Sequence, residues 1–188
     1  MDFDAIVANL KTKWPEVEAP KVSAGDPVVI IPLLALLATA WLVLIVAAPI
    51  LPIPIAGALY AIGSHICHQS PDRSFHILTS QLPVCGRCTG IYAGAAFGAS
   101  AALIAPFRDF AARSSARAVL FLGAVPTGLT LACEWAGLWN GSNVVRAAAG
   151  LPLGIVVALV VVQAAATVHY GRCAQRRPIA SNRPSTHI

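Results

Sequence analysis

The chain has 188 residues, 57% of them hydrophobic and 11% charged, with a mean hydropathy of +0.72 and a net charge of +5. Soluble domains carry about 25% charge, so a water-soluble globular protein is set aside in favour of an integral membrane protein. The apolar runs are continuous and rich in Ala, Leu and Val, not alternating, which argues against a β-barrel. The basic residues flank those runs, as topology determinants do, so no nucleic-acid partner is expected.

Phe3, Ile6, Val7, Leu10 and Trp14 recur at helical spacing among Asp2, Asp4, Lys11 and Lys13, so residues 1–26 form an amphipathic or interfacial segment. It lacks the apolar stretch of a cleavable signal, leaving the first span to direct insertion. No charge interrupts residues 27–64, and residues 28–48 make one crossing. Pro49, Pro52 and Pro54 then break the helix. Residues 55–66 are too few to cross alone and read as a short re-entrant or interfacial helix. Further spans follow at 90–107, 118–139 and 144–169. The basic residues 171–188 read as a disordered tail. The expected fold is all-α. It is a polytopic bundle of four full spans plus the short helix, in a domain covering 27–170; five spans are the alternative.

With four crossings, ten of the thirteen Lys and Arg residues lie inside. Only Arg73, Arg87 and Arg146 lie outside, which satisfies the positive-inside rule. The expected setting is a bacterial cytoplasmic membrane with a cytoplasmic C-terminus. This topology gathers Cys67, His68, Cys85, Arg87, Cys88, Glu134, Asn143 and Arg146 at the outer face. Ionisable side chains at such depths are costly and usually mark function. Gly86, Gly90, Gly94 and Gly98 repeat every four residues, as do Gly150 and Gly154. Two facing stripes of this kind would bring helices close and set Arg146 over the start of the Cys85-x-x-Cys88 helix.

Soft ligands at this spacing point to metal. Cys85 and Cys88 project to one side of a helix start, where exposed amides favour thiolate. Cys67 is the third ligand and His68 the fourth, binding zinc or, alternatively, iron. Adjacent helical residues diverge by about 100°, so Cys67 and His68 share an ion only if the helix has ended; His65 and His76 are substitutes. An open coordination position would activate water or polarise a bound group. Glu134 would then be the general acid or base. Arg87 and Arg146, beside Asn143, would hold an anionic group of a lipid or other amphiphile. The same thiols also suit a thiol–disulfide or quinone-linked oxidoreductase, or a structural clip in an accessory subunit, so enzymatic activity stays open. Cys133 reads as a packing residue, and His169 and Cys173 as incidental.

Cys67-His68, Arg73-Ser74-Phe75, "QLPVCGRCTGIYAG" and "SNVVRAAAG" resemble domain-of-unknown-function family 2085, small integral membrane proteins of bacteria and archaea. The resemblance covers roughly residues 60–155. It carries the family pattern onto Cys67, His68, Arg73, Phe75, Pro83, Cys85, Arg87, Cys88, Gly90, Tyr92, Gly94, Asn143, Arg146 and Gly150. Many members have Asp-Gly-x-Thr in the third span, where this chain has Thr127 in "TGLT". Either Glu134 replaces that aspartate or this member differs. The resemblance implies a membrane fold and supplies no activity.

Overall fold

The computed structural model describes residues 27–175, and the amphipathic segment expected at 1–26 lies outside them. Six α-helices and one hairpin make up the described chain. They are α1 (Pro27–Ala47), α2 (Ile53–Ile66), β1 (Ser74–Ile77), β2 (Ser80–Cys85), α3 (Gly86–Ala101), α4 (Ala105–Arg113), α5 (Ala116–Trp135) and α6 (Asn143–Gln175). Single 3₁₀ turns at Ala48–Ile50 and Pro71–Arg73 join α1 to α2 and α2 to β1. Helix α6 runs past the boundary expected at residue 170. The rest of the expected tail, 176–188, lies outside the described residues.

Three stretches are long and apolar enough to cross a membrane: Val29–Ile50, Ala116–Trp135 and Asn143–Ala165. The expected span at 90–107 is instead the 16-residue α3, ended by a turn before α4. Four full spans are therefore not established by length and composition alone.

The all-α expectation needs a correction, because β1 and β2 pair antiparallel: Ser74 faces Cys85, His76 faces Gln81, and Ile77 faces Ser80. An irregularity between Ser74 and His76 interrupts the ladder. The hairpin places Cys85 directly at the start of α3. Its inner side is buried: Leu82 and Val84 are among the least exposed residues, and Ser74 is fully covered.

Two packed layers mark the ends of the bundle. Ile31, Ala102 and Val162 form one, joining the start of α1, the end of α3 and the middle of α6. Ile45, Cys67 and Val84 form the other, flanked by Trp41, Cys85, Cys88 and Tyr92. Ala35, Ala99 and Ala158 pack between them. Small residues set the spacing. A Cβ on Gly90 would collide with the Ala147 carbonyl, and one on Gly154 with the Ile91 carbonyl. Helices α3 and α6 therefore cross backbone to backbone, and the two glycine stripes face each other as the sequence pattern anticipates. Pro152 lacks the N–H that continues a helical ladder. The carbonyl freed is that of Ala148, and at the next residue the Ala149 carbonyl accepts from Thr127 Oγ1 at 2.7 Å.

Candidate functional site

The site forms where α2 ends, α3 begins, α5 ends and α6 begins. Helix α2 stops at Ile66, and Cys67 has extended backbone, φ −140° and ψ 141°. Gln69 then takes a left-handed conformation, φ 49°, turning the chain toward the hairpin. Its Nε2 donates to the carbonyls of Tyr60 and Pro83, both at 2.8 Å. Tyr60 in turn donates its hydroxyl to the Gln81 carbonyl. These bonds tie the end of α2 to β2, so Cys67 lies against the start of α3.

The Sγ atoms of Cys67, Cys85 and Cys88 all lie within 4.8 Å of one another. Three thiolates on one ion, each about 2.3 Å away, stand at most about 4.6 Å apart, so the observed trio is close to ligating geometry. All three cysteines are free thiols. The Cys85 amide donates to Cys67 Sγ at 3.3 Å. The Cys85 thiol is pulled down to about 5, chiefly by the hydrogen bond from the Cys88 side chain. Lesser bonds from the Cys88 amide, Cys67 and the Arg87 amide add to this, while burial opposes it. This network favours the thiolate form at Cys85.

His68 needs a correction: it is exposed, and its imidazole is not part of the sulfur group. The helix does end before Cys67, as sharing an ion requires. In extended backbone, however, successive side chains point to opposite sides, so Cys67 is buried in the sulfur group while His68 stays on the exposed wall of the adjoining cavity. His65, its Nδ1 2.8 Å from the Ala61 carbonyl of its own helix, also lies outside the sulfur group. His76 pairs with Gln81 in the hairpin and is likewise outside the sulfur group.

Beside the sulfurs lies a buried ionic cluster centred on Glu134, whose side chain is only 2% exposed. Its Oε1 accepts from Arg146 Nε at 2.8 Å and from Arg87 Nη2 at 3.3 Å. Arg73 Nη1 approaches Oε2 at 3.8 Å. Arg146 is held on every nitrogen, since Nη1 donates to Asn143 Oδ1 at 3.0 Å and Nη2 to Asn140 Oδ1 at 2.8 Å. Asn143 completes the link by donating Nδ2 to the Ser74 carbonyl of the hairpin, 2.9 Å. Arg87 also reaches Thr130 Oγ1 at 3.5 Å, while its Nε is buried without a hydrogen-bond partner; Glu134 Oε2 likewise makes no hydrogen bond, only the looser ion pair to Arg73. A cavity of about 660 Å³ joins the two groups, lined by the three cysteines and by Arg73, Arg87 and Arg146. His68 lies on its wall.

The arrangement brings seven of the eight expected residues into two touching groups and leaves His68 at the rim. Arg73, expected on the same face and carried by the family pattern, joins them, and Asn140, Thr130 and Gln69, which were not expected, complete the site. Asn140 stands in the polar run Asn140-Gly141-Ser142-Asn143, and Thr130 lies one helical turn before Glu134, so both carried a signal. Gln69 had none, because its contribution depends on a left-handed turn.

An apolar helical chain with a polar, thiol-bearing cap defines a membrane protein with one chemically distinct end. The family described as "Predicted membrane protein (DUF2085)" matches residues 67–160, half of the chain, and the chain belongs to that family. An uncharacterised protein of Methanothermobacter thermautotrophicus is 36% identical over 95 residues, covering 50% of this chain and 83% of the relative. One of Methanocaldococcus jannaschii, also uncharacterised, is 35% identical over 103 residues, covering 53% of this chain and 63% of the relative. Both relatives are archaeal, so the bacterial setting expected from the sequence gains no support from them. No solved structure matches the chain.

Proposed function

We propose that Cys67, Cys85 and Cys88 hold a zinc or iron ion at the outer face of a cytoplasmic membrane, in a small polytopic protein. The observation that carries this reading is the convergence of three sulfurs from two separate segments within 4.8 Å. Soft thiolate donors select such ions, and the Cys85 thiol is already pulled down by the Cys88 hydrogen bond, which pushes the Cys88 thiol up in turn. Glu134 acts here by holding guanidiniums. A carboxylate accepting two such bonds is a weak proton acceptor, which favours this role over the acid–base role expected from the sequence.

Four crossings fit the layers better than five. The end of α1 and the end of α2 both reach the Ile45–Cys67–Val84 layer, so α2 starts and finishes near the same end. It is therefore the interfacial or re-entrant element. Helices α3 and α5 run between the site and the opposite end, where Arg108, Arg113 and Arg117 would face the cytoplasm.

A second reading, thiol–disulfide exchange, draws on the Cys85 thiolate beside two further thiols. Protein purified in detergent without chelator separates the two. Near-stoichiometric zinc or iron with unreactive thiols, lost in Cys67→Ser, supports the metal centre. A disulfide within the trio and no metal above trace would replace it with the redox reading.

A further inference from the structure

We infer that an ion on the three sulfurs keeps a fourth coordination position open to the cavity, and that this position takes an oxyanion donor. The donor is a carboxylate or phosphate whose outer oxygens meet Arg73 and Arg87. This inference rests on the metal reading above and specifies what the same centre binds. Among the described residues, no imidazole or carboxylate joins Cys67, Cys85 and Cys88 within reach of a common ion. A closed structural site has four protein ligands, whereas a site with three keeps a place for exchange. That place faces a cavity of about 660 Å³, ample for a phosphate or carboxylate group.

The guanidiniums around this cavity are not equivalent. All three Arg146 nitrogens already donate to Glu134, Asn143 and Asn140, so Arg146 is a fixed strut. Arg87 bonds Glu134 and Thr130 through Nη2 alone, at 3.3 and 3.5 Å, and it lines the cavity, although its Nε is sealed from it. Arg73 is half exposed and stands 3.8 Å from Glu134, a loose pairing from which it can swing to a ligand. Arg73 and Arg87 thus retain the donor capacity that the cavity offers. A divalent ion with three thiolates carries one net negative charge, so a further anion needs cations beside it, which these two residues supply. Asp72 also lines the cavity and, with Glu134, limits the positive excess, favouring a singly charged group over a multiply charged one. Ile66 and Trp135, 56% and 79% exposed, form an apolar part of the wall. A lipid headgroup and a free anion share this recognition chemistry. With an ion held by Cys67, Cys85 and Cys88, binding would be a simple ligand exchange, an oxyanion oxygen replacing a solvent ligand with no electrons transferred.

Full-length protein loaded with cobalt(II) in detergent reports each step. Sulfur-to-cobalt charge-transfer absorption tests the metal reading, and its absence removes that reading and this inference together. With those bands present, acetate, inorganic phosphate and short-chain phosphatidic acid are titrated in turn while the ligand-field bands are followed. The expected result is a saturable shift that Arg73→Ala weakens by about tenfold, with Arg73→Lys intermediate. Arg73 is half exposed, so these variants fold; Arg87→Lys gives a second test of the same kind. A shift with phosphatidic acid at concentrations where the free anions are inert assigns a lipid headgroup, and equal shifts assign a free anion. Bands unmoved by all three, or a shift unaffected by Arg73→Ala, overturn the inference while leaving the metal centre intact. So does a ligand field altered by His68→Ala, which would make the imidazole the fourth ligand.

Discussion

The Cys85 thiol is pulled well below the ordinary thiol range, to about 5, by a neighbouring sulfur's hydrogen bond. Its thiolate form dominates above that pH and is lost as pH falls through about 5. Alkylation of metal-free protein, mapped by mass spectrometry, should therefore stay near its plateau at pH 6.5 and fall with a midpoint near 5. A midpoint near 9 would show an ordinary thiol. Glu134 carries a different burden. Removing its carboxylate leaves Arg146 and Arg87 buried without a counter-ion, and breaking a buried pair costs about 3–5 kcal/mol. Glu134→Ala is expected to lower the melting temperature in detergent sharply or abolish recovery of folded protein. An unchanged melting curve would mean that the cluster contributes nothing to the fold. The sulfurs and this carboxylate were legible in the sequence because such groups are rare beside apolar spans. The position of His68 outside the sulfur group was not, because it depends on one pair of backbone angles at Cys67.

At the scale of elements, the contact between α3 and α6 positions the site, since Arg87 and Arg146 sit on their first turns. Gly90 and Gly154 allow carbonyls of the opposing helix to lie where a side chain would be. Gly90→Val or Gly154→Val should force the helices apart and give aggregated protein by size exclusion. Gly57→Ala and Gly128→Ala, where an added Cβ meets nothing within 4 Å, should run as the parent does. Equal tolerance at all four positions would contradict the packing. This interface could be read in advance from a four-residue period. The hairpin could not: β1 has four residues, Pro83 interrupts the propensity of β2, and Leu78-Thr79 lacks the Gly or Asn that usually announces a tight turn. Leu78 adopts φ 57° without that help.

For the whole molecule, the two end layers and the distribution of charge describe an oriented bundle with its chemistry at one end. If the sulfurs face outward, as proposed, a membrane-impermeant maleimide applied to intact cells with chelator should label Cys85, while Cys133→Ser leaves the labelling unchanged. Labelling only after the membrane is opened would reverse the topology. The polarity of the chain was legible from its arginines, since Arg73, Arg87 and Arg146 meet around Glu134 at one end. The number of crossings was less so. A 16-residue helix and a 14-residue helix both fall below the length that marks a span, and only their packing distinguishes them. X-ray absorption at the metal edge of the detergent-purified protein tests the central claim most directly. Three sulfur neighbours at about 2.3 Å, reduced in number by Cys85→Ser, are the expected result, and a shell without sulfur would contradict it.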